Sequence, residues 1–201
     1  MSTIIVDTRD VRRLSIQLEG LGRGAPLAVA AALNRSLTYA NTLVRKDVAK
    51  NYEIQQKYVK ETISQRKASP TKLKAEIISK GTQRSLTRFK VKPSKPPNQK
   101  GKKISQRKLP QAKVFKSVGY KTINIIPGAF VAKMNNATNV WQRKGKGRTD
   151  VKILRSLSVP QMIENDNVIM DIKAKAMDYM DRRLEHEINY RLQKLRGGGS
   201  R

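Results

Sequence analysis

Apolar positions along this chain change their period several times, and each change marks an element. Residues 3–6, TIIV, read as a short β-run, after which Val11, Leu14, Leu18 and Leu21 recur at three- and four-residue spacing and predict a short helix. Gly20, Gly22 and Gly24 end it, and Pro26 stands where the first turn of a new helix tolerates a residue without an N–H. The stretch "APLAVAAALNRSLTYANTLVRKDVAKNY" then places Leu27, Ala31, Leu33, Leu37, Ala40, Val44 and Val48 close to helical spacing in an Ala- and Leu-rich background, the strongest helix signal in the chain. A second helix is expected over 54–66, with Ile54, Tyr58, Val59 and Ile63 on one side and lysines on the other, stopped by Ser69 and Pro70.

Beyond Pro70 the period shortens to two. "KLKAEIIS" and "LTRFKVKP" alternate apolar and basic residues, so Leu73, Ala75 and Ile77, and likewise Phe89 and Val91, face one way, while Lys72, Lys74, Arg88, Lys90 and Lys92 share the opposite, basic face of a sheet. Residues 93–110 hold Pro93, Pro96 and Pro97, a glycine and six basic residues before Pro110, which predicts a long mobile basic loop. Residues 113–120 and 122–126 read as strands turned at Pro127-Gly128. "AFVAKM" and "NVWQRK" form a candidate hairpin across Asn135, Asn136 and Ala137, and a last strand over 151–154 leads to Ser158 and Pro160, a helix start. In the final third, Met177, Met180, Leu184, Ile188, Leu192 and Leu195 keep steps of three or four, giving one apolar stripe for core packing against the long early helix. "GGGSR" closes the chain as a tail without expected structure.

These elements predict an α+β fold: N-terminal helices, a mostly antiparallel twisted sheet with a basic face, and a C-terminal helical segment. With 201 residues, of which 38% are apolar, 5% aromatic and 29% charged, one core is expected, and a thin one. The expected organisation is an N-terminal extension over 1–24, a single domain over 25–195 carrying the mobile loop at 93–110, and a tail over 196–201.

Charge changes the picture more than size does. The net charge is +28, yet residues 77–149 contain no Asp or Glu and 19 Lys and Arg, while the remaining 24 basic residues set against all 15 acids leave only +9. Two thirds of the excess thus lies in the middle of the chain. Self-repulsion on that scale opposes compaction unless a polyanion or an acidic protein surface offsets it.

Little catalytic chemistry is on offer. Without cysteine there is no disulfide scaffold, thiolate metal site or Cys nucleophile. His186 is the single histidine, between Glu185 and Glu187, so a His-based triad or multi-histidine metal centre is excluded by count. Glu164, Asp166 and Asp171 form the densest acidic patch but lack the calcium-loop pattern, and they read as a solvated helix cap or loop. "GKGR" and "QKGKK" lack the spacing of a phosphate-cradling glycine loop. Phe89, Phe115 and Phe130 lie in expected strands without the aromatic pattern of an RNA-stacking sheet. No apolar run approaches the length of a membrane span, and acids occupy the place where a signal peptide has its apolar core.

Several ordered motifs resemble a known family. "IPGAF" at 126–130, "VWQR" at 140–143, the basic glycine-containing loop at 144–148 and "VKILRSLSVP" at 151–160 are similar, in this order, to prophage minor tail protein Z, the tail-completion protein of lambda-like long-tailed phages. "APLAVAAALNRS" at 25–36 resembles that family's small-residue helix with its A-x-N-R centre, and "KYVKETISQRKAS" at 57–69 the segment after it. The resemblance runs from about Ala25 to Leu195; the first 20 residues, the expanded loop at 93–110 and "ENDN" depart from it.

The resemblance implies a structural virion protein, not an enzyme, made in the host cytoplasm and placed at the head-proximal end of the tail, needed for tail maturation, head-tail joining and positioning of the genome end. It implies a homo-oligomeric, six-fold ring, with the tail terminator or tube protein, the head connector, the tape-measure protein and genomic DNA as partners, and neither cofactor nor membrane. In this frame Pro127, Gly128, Phe130, Trp141 and Pro160 are structural anchors, and Arg143, Lys144, Lys146 and Arg148, with Lys100, Lys102, Lys103, Arg107 and Lys108 of the long loop, are the DNA- or partner-binding cations. The competing reading of the same charge is a small basic protein that binds DNA or RNA regardless of sequence.

Overall fold

A computed structural model describes residues 2–6, 21–98, 109–116, 127–145, 147 and 150–197. The elements along the chain are strand β1 (Ser2–Val6), a 3-10 turn (Gly22–Gly24), helix α1 (Ala25–Asn51), helix α2 (Gln56–Lys60), strands β2 (Ile63–Arg66) and β3 (Ala75–Ser79), a second 3-10 turn (Leu86–Arg88), strands β4 (Lys90–Lys92), β5 (Gln111–Lys113), β6 (Ala129–Met134), β7 (Ala137–Arg143) and β8 (Val151–Ile153), and helices α3 (Val159–Ile163) and α4 (Asp166–Gly197). The fold is α+β, with antiparallel sheets and a long C-terminal helix. Of the helix expected around Val11–Leu21 only Leu21 is described, as a buried turn residue, and the strand expected over 122–126 lies outside the described residues.

The chain divides into two compact units: Met1–Arg45, Ile63–Lys80 and Ile163–Arg201 form the first, Lys46–Thr62 and Gly81–Met162 the second. In the first, β3 is the centre of a three-stranded sheet ordered β1-β3-β2, with Ile4 opposite Ile77 and Ile63 opposite Ser79. Ala75, Ile77 and Ile78 are buried, as are Ala28, Ala32, Leu33, Leu37, Ala40 and Val44 along α1. Each fully buried Leu or Ile contributes roughly 1.5–3 kcal/mol of transfer free energy. On the partly covered side of β3, the Lys74 ammonium 2.6 Å from Glu76, with Arg66 at 3.6 Å, holds the Glu76 carboxyl below the usual carboxylate range.

Three expectations are corrected here. The helix expected over 54–66 stops at Lys60: the Thr62 hydroxyl donates to the Val59 carbonyl at 2.8 Å, and 63–66 extend to pair with β3. Ile63 matched the helical spacing by coincidence, and the ladder offered by β3 outweighs a local propensity that β-branched residues hold only weakly. Of the strand expected over 113–120, residues 117–120 lie outside the described residues; among the described ones the strand is Gln111–Lys113, paired with β4, and Phe115 makes an isolated bridge to Tyr52. Residues 86–88 of "LTRFKVKP" turn as a 3-10 segment, leaving Lys90–Lys92 as the strand, with Phe89 and Val91 buried and Lys90 and Lys92 exposed.

The C-terminal stripe is also shifted. The buried line on α4 runs through Val168, Ile172, Ala176, Met180, Leu184 and Ile188, whereas Met177 and Leu195 are 45% and 61% exposed. Steps of four overshoot a 3.6-residue turn, so this line winds by about 40° at each step, and counting threes and fours together cannot follow it. Contacts between α4 and α1 are a stacked Tyr39–Tyr179 pair, ring centroids 4.3 Å apart, and an ion pair from Arg35 to Glu187 at 3.1 Å.

The second unit carries a two-stranded β4-β5 ladder and a three-stranded sheet ordered β6-β7-β8. Glu53 accepts an ion pair from Lys113 at 3.7 Å while its backbone N–H donates to the Val114 carbonyl at 2.7 Å. The Ser85 hydroxyl donates to the Asn139 side-chain oxygen at 2.7 Å, tying the turn before β4 to the middle strand β7. α3 begins as expected: Gln161 Oε1 accepts from both the N–H and the hydroxyl of Ser158 at 2.9 Å, a capping box in which Pro160 sits in the first turn.

Candidate functional site

The β6-β7-β8 sheet builds the motif-bearing segment from its turns inward. Pro127 and Gly128 form the entry turn, and Gly128 takes φ +70, a conformation that costs a side chain and suits glycine. Gln142 Nε2 donates to the Pro127 carbonyl at 3.1 Å, so the end of β7 is fastened to the start of β6. At the other end Asn135 and Asn136 adopt φ 48 and 60, a two-residue turn with left-handed backbone at both positions, whose twist matches the flanking strands. The hairpin expected from the sequence is thus present, with Ala137 in the strand and not in the turn.

Within it, Val131 pairs with Val140 on the buried face and Phe130 with Trp141 on the other. Trp141 is the residue that breaks simple alternation: on the middle strand it is flanked by Phe130 of β6 and Ile153 of β8, is only 9% exposed, and its indole N–H donates to the Ala132 carbonyl at 3.1 Å. A large ring with a satisfied polar handle is a rigid anchor.

Arg143 ends β7 opposite Val151. Its guanidinium lies 5.5 Å from the Phe130 ring centroid and donates to the Gly147 carbonyl at 3.2 Å, so it is exposed yet folded over its own hairpin. Lys144 is exposed, and its backbone N–H donates to the Asp150 carbonyl at 3.0 Å, which closes the basic loop. Lys146 and Arg148, and Lys100, Lys102, Lys103, Arg107 and Lys108 of the long loop, lie outside the described residues. Pro160 is buried in α3, and a side-chain carbon built on Gly81 would meet its ring at 3.9 Å.

Other groupings had no signature in the sequence. In the first unit, the A-x-N-R segment and the KA segment meet: Asn34 Nδ2 donates to the Ala68 carbonyl at 3.0 Å and Asn34 Oδ1 accepts from the Ala68 N–H at 2.8 Å. One residue on, Arg35 reaches Glu187, whose carboxylate also receives Arg183 at 3.1 Å and Arg191 at 3.7 Å. Asn34, Arg35, Thr38, Tyr39, Lys67 and Tyr179 line an open cleft of about 490 Å³. In the second unit Arg88 lies 4.4 Å and Lys57 4.9 Å from the centroid of the Tyr58 ring, and the bond from Arg88 lowers the Tyr58 pKa below its ordinary value. Apart from the adjacent Lys57 and Tyr58, pairs so far apart in sequence leave no local pattern; the i, i+4 spacing of Arg183, Glu187 and Arg191 was there to be seen.

An α+β chain with a buried-tryptophan hairpin, a cation-bearing loop and a long C-terminal helix is, by comparison with known families, a structural component of a phage tail. The family model for prophage minor tail protein Z (GPZ) matches residues 14–196, and the chain belongs to that family. This places it in the virion tail, in contact with other tail components. No curated protein and no solved structure matched. Among the described residues, no helix is long and apolar enough to cross a membrane.

Proposed function

We propose that this chain completes the head-proximal end of a phage tail, as a homo-oligomeric ring between the tail terminator or tube and the head connector, where it helps join head to tail and positions the genome end. Family membership supports the tail role, and the observation that carries the finer reading is the acid-free middle of the chain. Of its 19 cations between Ile77 and Thr149, Lys113 is paired with Glu53; the excess that is left calls for an anionic neighbour, and the Trp141-anchored hairpin holds Arg143 and Lys144 at one exposed edge. A ring multiplies that cluster by its copy number, and an end of packaged DNA or an acidic neighbour supplies the counter-charge. The six-fold order and the contact with the tape-measure protein belong to the same reading.

The test is a phage carrying Arg143→Ala, Lys144→Ala, Lys146→Ala and Arg148→Ala together. Tails with normal content of this protein but a shortage of joined heads, seen by electron microscopy and by falling infectivity, is the expected result. Unaltered infectivity overturns the role. Steep salt-dependent nucleic-acid binding by a lone monomer that is absent from virions would instead establish the sequence-independent binding protein.

A further inference from the structure

α4 carries an apolar stripe that its own unit leaves uncovered. Met170 is 69% and Met177 45% exposed, with exposed Ala174 between them, and residues at i, i+4 and i+7 stand above one another on a helix. Asp166 and Asp181 continue the line at its ends, and Asp178 and Glu185 stand beside it, all exposed. Lys175 neutralises Asp171 and Arg182 neutralises Asp178 along the helix, whereas Asp166, Asp181 and Glu185 have no ion-pair partner among the described residues. From Glu164 to Glu185, leaving out the buried Glu187, there are six acids against four bases, and one of those bases, Arg183, is turned to Glu187, in a chain of net charge +28. Uncovered methionines therefore coincide with a stretch that is locally negative.

Such a face fits a counterpart that is apolar, irregular and basic. The same chain has one in its other unit: an open cleft of about 780 Å³ at the β4-β5 end, walled by Val91, Pro93, Pro96, Pro97 and Leu109, with Lys92 and Lys95 on it. Leu109 is 38% exposed, and both lysines are exposed. Methionine is unbranched and polarizable, which lets it fill an uneven, proline-walled surface, and the two lysines match the acids beside the stripe.

We infer that the Met170–Met177 stripe of one copy docks into the proline-walled β4-β5 cleft of the next copy. Both halves of the contact reside on one chain, so a head-to-tail arrangement uses each once per subunit, and a rotation that closes on itself makes a ring. This deepens the ring reading proposed above and rests on it. Apolar area is buried at the centre of the contact and charge complementarity at its rim sets the register.

The test uses the purified full chain in four forms: unaltered, Asp181→Lys with Glu185→Lys, Lys92→Glu with Lys95→Glu, and all four changes together. Sedimentation at low salt gives the mass, and circular dichroism checks that the exposed changes leave the fold intact. The unaltered chain is expected to be oligomeric, each pair of reversals to dissociate it, and the combination to restore it. Because the chain has no cysteine, Met177→Cys in one copy and Pro96→Cys in a differently tagged copy should form a mixed disulfide. An unaltered oligomer that neither reversal disturbs, a combination that fails to restore assembly, or Met177→Cys chains that link only to each other overturns this interface and leaves the ring standing. An unaltered chain that is monomeric in solution and present singly in virions overturns the ring and this contact together.

Discussion

Asn34 grips Ala68 from both sides, its side-chain amide donating to the Ala68 carbonyl and accepting from the Ala68 N–H. The pair is separated by 34 residues and fastens the segment after β2 to the middle of α1. Each such bond contributes about 0.5–1.5 kcal/mol net, so Asn34→Ala is expected to cost roughly 1–3 kcal/mol. Asn34→Asp keeps the acceptor, loses the donor and should fall between the two. Chemical denaturation of the three proteins checks the order.

Glu187 is a deeper commitment. Its side chain is 8% exposed and faces Arg35, Arg183 and Arg191, of which Arg183 and Arg191 are themselves about four-fifths covered. Removing the carboxylate leaves clustered guanidinium charges without compensation, and Glu187→Ala is expected to cost about 3–5 kcal/mol, as breaking a buried pair does. Arg35, 60% exposed, behaves as a surface partner, and Arg35→Ala should cost no more than about 1 kcal/mol. A Glu187→Ala protein as stable as the unaltered one would show that the cluster holds nothing together.

The hairpin that presents Arg143 depends on its turn. Asn135 and Asn136 both have positive φ, which asparagine tolerates and a β-branched residue does not. Asn136→Val is expected to lose about 1–2 kcal/mol, and Asn136→Gly to be neutral or slightly stabilising. Trp141 is the chain's single tryptophan, so its fluorescence reports this sheet directly, and its unfolding midpoint should move with the Asn136 substitutions.

Tyr58 gives the protein an alkaline signature. The Arg88 bond, aided by the charges of Arg88 and Lys57, lowers its pKa from the ordinary value of 10.0. A depressed acid stabilises the fold in its ionised form, so this contribution appears as pH rises through the lowered value and is fully present above about 10. Absorbance titration of the unaltered protein and of Arg88→Ala should differ by one tyrosine, whose ionisation moves to higher pH when the guanidinium is removed. A titration curve left unchanged by Arg88→Ala would contradict the contact.

What the sequence determined by itself was local or additive. The helix at Ala25–Asn51, the strand at Ala75–Ser79, the hairpin around Asn135-Asn136 and the Ser158 cap were legible because propensity, period and turn chemistry act within a few residues. The concentration of cations between Ile77 and Thr149 needs no fold to be seen, and the ordered motifs from Ala25 to Leu195 carried the family. Tertiary structure alone decided the rest. The ladder with β3 turned 63–66 from helix to strand, and the winding of the buried line on α4 left Met177 outside while covering Ala176. Folding also gathered Asn34 with Ala68, and Glu187 with Arg35. Such outcomes rest on which distant surface a segment meets, and the free energy of that meeting is shared between residues that no stretch of sequence holds together.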